Sequence, residues 1–496
     1  MSKNYHNLEK IFAKVNTVNQ ISSVLSWDTA TMMPKGSSES RGEQMVYLSE
    51  HIRGIIFTPE VEDNIKEAFN EPNTLNPWQI ANLKSMQRSF NDYASIPAEL
   101  QQKFILTCNR SEMAWREARS KKDFQVFLPL FSEVIKLTQE IASHRSEYMD
   151  IKDPYEALVD IYDPGRRLSE IDSAFAKLEE FLPNFIEKVR SKQGDNPDLD
   201  GDFNVATQEV LGREIMKTFN FDFNSGRLDI SMHPFCGGYS EDVRITTRYN
   251  PNNLFTGLYG VMHETGHALY EQNRPKDWIT QPVSAALGMS MHESQSLLAE
   301  NQIGLSKAFI SFLQPKIVQL FNLSPEVFSV SNIYKHLTHI APSFIRVEAD
   351  EVTYPLHVIL RYKLEKQLLR GDIEPSDIPE VWNKEFTEKF GITPTNDAEG
   401  CLQDIHWAWG SLGYFPSYTL GTMTAAQIMH KIRQITPNID DDVVNGNVSN
   451  IYNWLRDNIH SQGSLFASSD QLLENATGEK LNPEYFIKYL QDRYDK

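Results

Sequence analysis

Leu8, Ile11, Phe12, Val15, Val18, Ile21, Val24 and Leu25 recur at intervals of three and four, which lines apolar side chains along one face of a helix. The spacing returns in Ile171, Phe175, Leu178 and Leu182, with Ser169 and Asp172 ahead of that stripe as a capping box. It predicts further helices over 125–147, 254–273, 284–312, 332–369 and 421–435, and prolines such as Pro97, Pro154, Pro251, Pro282 and Pro416 punctuate them. One stretch differs: 227–235 and 242–249 are rich in β-branched residues and partly alternate, and Gly237, Gly238 and Ser240 offer turn chemistry between them. A small hairpin in a mainly α-helical protein is the expectation. The polar loop 191–204 opens like a calcium loop at Asn196, Asp198 and Asp200, but Thr207 stands where the bidentate Glu belongs, so an ordinary solvated loop is expected.

With 496 residues, length alone suggests about three domains, although single large helical enzymes reach this size. The 48 Lys and Arg against 67 Asp and Glu give a formal charge of −19. That balance argues against a nucleic-acid partner, which demands excess cationic side chains. Cys108, Cys236 and Cys401 are widely spaced and form no CxxC, so neither a disulfide framework nor a thiolate metal site is expected. The N-terminus lacks an apolar signal core and no apolar run reaches the length of a membrane span. These features point to a cytoplasmic chain with no membrane partner.

The sharpest chemical signal is His263-Glu264-Thr265-Gly266-His267. Two imidazoles at i and i+4 on a helix converge on one metal ion, and Glu264 beside them can take a proton from water. Gly266 inside that helix costs about 1 kcal/mol relative to Ala, a cost explained if another backbone approaches closely. The next candidate for a third ligand is Glu293, 26 positions after His267, where a returning helix can bring it back. Neighbouring His292 competes for that role, and an ordinary solvated Glu293 is the plain alternative. The His₂Glu set makes zinc-dependent peptide-bond hydrolysis the leading chemistry.

Four other clusters stand out. Asp242, Arg244 and Thr246 share one strand face, which could be an edge offering its backbone to an extended peptide. Arg346 and Asp350 sit at i and i+4 of the predicted 332–369 helix, as a simple ion pair would. Gln403, Asp404, His406 and Trp407 form a polar cluster with an aromatic, while Tyr414 and Tyr418 supply two phenols that donate to an oxyanion or simply pack.

Together these clusters resemble the thermostable carboxypeptidase Taq family of metallocarboxypeptidases. The matching runs are His233-Pro234-Phe235, Asp242-x-Arg244-x-Thr246, His263-Glu264-x-x-His267, His292-Glu293-Ser294, Ile345-Arg346-x-x-Ala349-Asp350 and Gly400-x-x-Gln403-Asp404-x-His406-Trp407. Trp27-Asp28, Met33-Pro34, Arg41 and Gln44 are similar as well. The resemblance implies a mainly α-helical, zincin-like fold with a deep central groove and a small sheet beside the active-site helix. It implies one domain over 1–496, with room for two lobes around the groove, and a homodimer. It further implies removal of single C-terminal residues from peptides, with one zinc, or sometimes cobalt, per subunit. In that frame His263, His267 and Glu293 hold the metal and Glu264 is the general base. Tyr418, with His406 before it, is similar to the His/Tyr pairs of related oligopeptidases and stabilises the oxyanion, with Tyr414 in reserve. Arg346, or alternatively Arg244, takes the terminal carboxylate, and His233 and Asp404 belong to the substrate site. An oligopeptidase cutting internal bonds and an inactive peptide-binding protein are the competing functions.

Overall fold

The N-terminal stripe forms one helix, Lys3–Thr31, in which Leu8, Phe12, Val15 and Val18 are buried. They pack with residues of Ser38–Ile56, Pro59–Phe69 and Pro77–Ala94 into a small core of their own. Ile21, in the second half of the stripe, is 47% exposed. The Arg41 guanidinium fastens the second helix to the first, donating to the Asp28 carboxylate at 2.7 Å, to the Leu25 carbonyl at 2.7 Å and to Thr29 Oγ1 at 3.0 Å. The computed structural model describes residues 2–495.

Two larger cores lie beyond this unit, one around the 254–272 helix and one around the 354–370 helix. The helix Pro416–Ile435 belongs to both: Leu420, Met423 and Ala426 enter the second, and Ala425, Ile428, Met429 and Ile432 enter the first. A helix apolar on opposite faces must be covered on both, which makes it the seam between the two bodies.

The expected hairpin is corrected to a three-stranded sheet: β1 (Gly226–Ile230), β2 (Phe235–Tyr239) and β3 (Asp242–Thr247), in the order β1-β3-β2. β1 runs parallel to β3, and the antiparallel partner of β3 is β2. Gly237 and Gly238 are strand residues, and the turn falls at Ser240-Glu241. Gly238 has φ +84°, and a Cβ there would lie 2.0 Å from the Asp242 carbonyl oxygen, so the crowding of two strands explains this glycine. β3 is the middle strand, with both backbone edges paired, and cannot be the peptide-accepting edge; β1 and β2 are the edges.

Two expected helices are interrupted. The 284–312 pattern becomes Met289–Leu297, a π segment Leu298–Gly304 and a separate helix Lys307–Phe321 capped by Ser306. The 332–369 pattern becomes Val330–Leu337 and Tyr354–Arg370, joined by an irregular stretch with one 3₁₀ turn, Arg346–Glu348. Asp350 drives that break, because its carboxylate accepts from the backbone N–H groups of Ala341, Val352 and Thr353. The Arg346–Asp350 helix pair therefore does not exist. Near residue 170 the helix begins at Leu168, and Glu170 accepts from the Arg167 N–H at 3.0 Å, so Ser169 and Asp172 are helix-interior residues and form no capping box. No helix among the described residues is long and apolar enough to cross a membrane.

Candidate metal centre and active site

The motif helix, Leu254–Gln272, starts where Asn253 Oδ1 accepts from the Thr256 N–H at 2.9 Å. Leu254, Leu258, Val261, Met262, Ala268 and Leu269 anchor it in the first core. The following Met289–Leu297 helix is wedged between two glycines on different helices. A Cβ on Gly266 would lie 2.3 Å from the Gln295 carbonyl oxygen, and one on Gly421 would lie 2.8 Å from Glu293 Cβ. The close approach anticipated at Gly266 is therefore present, and it delivers Glu293 to the histidines.

Among the described residues, His263, His267 and Glu293 form the one His/Cys/Asp/Glu group able to share an ion, with ligand atoms within 4.8 Å of one another. His263 Nε2 stands 3.6 Å from Glu293 Oε1, and His267 Nε2 stands 3.4 Å from Glu293 Oε2. Such separations suit tetrahedral N and O ligands at about 2 Å from zinc. Three carboxylates, Glu264, Glu293 and Glu300, surround the two imidazoles, so the pocket carries the negative charge a divalent cation requires. The residues fit the group.

Outer contacts orient both imidazoles. His263 Nδ1 bonds Glu300 Oε2 at 2.8 Å. Glu300 lies on the π segment, whose wider turn leaves the Asn301 carbonyl to accept from Tyr489 and Arg493 of the last helix. His267 Nδ1 faces His292 Nδ1 at 2.6 Å, and His292 Nε2 bonds Glu271 Oε1 at 3.0 Å. Both His292 nitrogens are engaged away from the donor set. Glu264 is buried, and burial, joined by the charges of Glu293 and Glu300 against the opposing pull of His263, raises its pKa to about 7.

A second cluster is held by the other core. Tyr418, on the first turn of Pro416–Ile435, lies with its hydroxyl 3.1 Å from His406 Nε2. The Tyr414 ring packs edge-on to it at 5.3 Å. Burial first, then the Arg346 and Arg361 charges, lower the His406 pKa to about 4 despite Asp404, which keeps the imidazole neutral. Arg346 lies under the Tyr418 ring at 4.7 Å, donates to Asp404 Oδ1 at 2.8 Å and donates to the Tyr354 hydroxyl at 2.6 Å. Arg361 donates to the other Asp404 oxygen at 2.6 Å. Burial disfavours the Asp404 carboxylate, but the two guanidiniums outweigh it and hold its pKa far below the usual range. The Glu293 charge contributes to the raised pKa of Tyr354, Tyr414 and Tyr418, after burial, which links the two clusters.

Arg244 stands on β3 and His233 in the loop between β1 and β2, and neither side chain bonds either cluster. Arg244 is held by Asp242 through Nε at 3.0 Å and NH2 at 2.6 Å, and lies over the Trp27 ring at 4.4 Å. His233 is exposed in the β1–β2 loop, where partial desolvation and then Arg248, Arg119 and Arg116 lower its pKa. Sequence reading missed Glu271, Glu300, Tyr354 and Arg361. Glu271 had a signal, since it falls one further helical turn beyond His263 and His267 on the same face. Glu300 had none, because only a π turn aims it at His263.

A helical body in which a buried HExxH helix presents two imidazoles and a neighbouring helix adds a carboxylate to them defines a metal-dependent peptidase. The carboxypeptidase Taq (M32) metallopeptidase model matches residues 7–494, and the chain belongs to that family. It is 34% identical to carboxypeptidase 1 of Bacillus subtilis strain 168, covering 99% of this chain and 98% of that protein. Thermostable carboxypeptidase 1 of Pyrococcus furiosus is 33% identical, with 97% of each chain covered. The solved structure of Trypanosoma cruzi metallocarboxypeptidase 1 superposes with a TM-score of 0.97 at 41% identity, covering 100% of both chains. The protein is thus a metallocarboxypeptidase with a mainly helical fold.

Proposed function

We propose that this metallocarboxypeptidase releases single residues of broad identity from the C-termini of peptides, with His263, His267 and Glu293 holding zinc. Cobalt is the alternative ion for the same N, N, O donor set. The observation that carries the reading is the convergence of those three donors beside the buried Glu264. Bound there, a divalent cation supplies Lewis acidity for water and for the scissile carbonyl. Glu264, buried beside the two imidazoles, takes the proton of the attacking water and returns it to the leaving amine. Tyr418 donates its phenol proton as a hydrogen bond to the developing oxyanion, held in place by His406 and by Arg346 beneath its ring. Tyr414 buttresses it, and Asp404 fixes Arg346.

For the terminal carboxylate the contacts favour Arg244 over Arg346. Arg346 is buried and already committed to Asp404 and Tyr354, whereas Arg244 NH1 makes no hydrogen bond among the described residues and its side chain is 16% exposed. His233 is a further contact for substrate at the sheet. We also propose one domain over 1–496 with the two large cores as its lobes, a homodimer, and a reducing cytoplasmic setting, the last supported by three free thiols. Elemental analysis and mass spectrometry of a digested decapeptide test the reading. Stoichiometric zinc and a ladder shortened from the C-terminus are expected; internal fragments would point instead to an oligopeptidase.

A further inference from the structure

We propose that Glu271, acting through His292, locks the tautomer of His267 and thereby sets how tightly the metal is retained. The inference rests on the reading of His267 as a ligand. A nitrogen–nitrogen contact of 2.6 Å between His267 Nδ1 and His292 Nδ1 has room for one proton. If His267 offers the Nε2 lone pair that faces Glu293, its own proton sits on Nδ1, and His292 Nδ1 must accept it. The His292 proton then resides on Nε2, where it is donated to Glu271 Oε1 at 3.0 Å. Every proton along the chain follows from the carboxylate at its end.

The opposite arrangement is harmful. A His292 proton on Nδ1 would force the His267 proton onto Nε2, aimed at Glu293 and blocking the donor lone pair. Glu271 selects against it because a carboxylate only accepts. Glu271 is itself anchored: Arg274 NH1 donates to its second oxygen at 2.8 Å, while the same guanidinium donates to the Ser284 carbonyl at 2.8 Å and to Ser284 Oγ at 2.9 Å. Tyr270 packs against the His292 ring at 5.4 Å and stacks on His460 at 5.0 Å, which fixes the ring plane. The two ligands are thus oriented unequally. His263 bonds a carboxylate directly, whereas His267 reaches one only through a second imidazole. His292 and Glu271 are positioning residues for the metal ligand.

The test uses the full-length protein and measures zinc dissociation constants by chelator competition, alongside the unfolding midpoint of each metal-free variant. His292→Leu and Glu271→Ala should weaken zinc binding about 10- to 100-fold. His292→Asn places an amide oxygen near the accepting Nδ1, and Glu271→Gln keeps an acceptor for Nε2–H, so each should bind within about 3-fold of wild type. A packing role alone would not separate Asn from Leu or Gln from Ala. Wild-type affinity in His292→Leu, or equal weakening within either pair, overturns the proposal. Should the His292 variants fail to fold without metal, the Glu271 pair decides alone. Failure of the underlying reading looks different: wild type itself would hold no stoichiometric zinc.

Discussion

Glu264 stands among three other groups that compete for or repel its proton, and burial pushes its pKa up to about 7. Glu264→Gln keeps the shape and removes the proton acceptor, so kcat should fall about 10²- to 10⁴-fold while zinc stoichiometry, read by elemental analysis, stays at the wild-type value. Metal loss in that variant would assign Glu264 to binding instead. The two candidate arginines separate by kinetics. Arg244→Ala should raise KM for a blocked dipeptide with a small change in kcat, whereas Tyr418→Phe should lower kcat about 10²- to 10³-fold with KM nearly constant. A kcat defect in Arg244→Ala without a KM change would return the carboxylate to Arg346. At this scale the sequence was legible where chemistry is local: His263, Glu264 and His267 lie within two turns of one helix. It misled where partners are distant, since spacing pairs Arg346 with Asp350 four positions on, and the guanidinium instead meets Asp404, 58 positions away.

Helices were predicted well where one apolar face meets one core, as in Leu168–Lys192, and poorly where polar groups interrupt the pattern. The stretch between Leu337 and Tyr354 has helical spacing in its apolar residues, yet the Asp350 carboxylate prevails over the helix by serving three backbone donors. Parallel pairing of β1 with β3 was not legible, because strand propensity carries no direction or order. What the sequence did expose at this scale was a glycine out of place. Gly266 lets the Met289–Leu297 helix cross at backbone distance, so Gly266→Ala must push Gln295 aside. Overpacking of this kind costs about 1–3 kcal/mol, and here it also shifts Glu293. Gly54, inside the Ser38–Ile56 helix, has nothing within 4 Å of where a methyl would project, so Gly54→Ala should instead stabilise, by about 0.5–1 kcal/mol. Denaturant unfolding of the metal-free proteins compares the two, and a Gly266→Ala midpoint at or above wild type would mean that the crossing yields freely.

Over the whole molecule the net charge of −19 hides an opposite local balance, since two buried guanidiniums, Arg346 and Arg361, share the single carboxylate of Asp404. That surplus of one positive charge lies in the body that carries Tyr418, so the local balance around these residues is opposite in sign to the protein's overall charge. The same body contains a second buried acid with a different outcome. Glu365 is fully buried and accepts from the Tyr155 hydroxyl at 2.7 Å, the Trp407 indole at 2.8 Å and the Gly413 N–H at 2.9 Å. It thereby ties three separate segments together just ahead of Tyr414 and Tyr418. Burial outweighs those hydrogen bonds and the Arg361 charge, and raises its pKa from 4.5 to about 7. The folded chain then binds this proton more tightly than the unfolded chain, so stability falls as pH rises. The contribution is fully present below pH 4.5, declines from there, and is lost as pH passes through about 7. Its size is on the order of 3 kcal/mol. Glu365→Gln mimics the protonated form at every pH and removes this slope. The difference in unfolding free energy between wild type and Glu365→Gln, followed by denaturant titration from acid to neutral pH, should therefore move against wild type as pH rises; parallel curves would show that Glu365 titrates in the folded protein as it does in the unfolded chain, and a difference moving in favour of wild type would show that it is already ionised in the folded protein at acid pH.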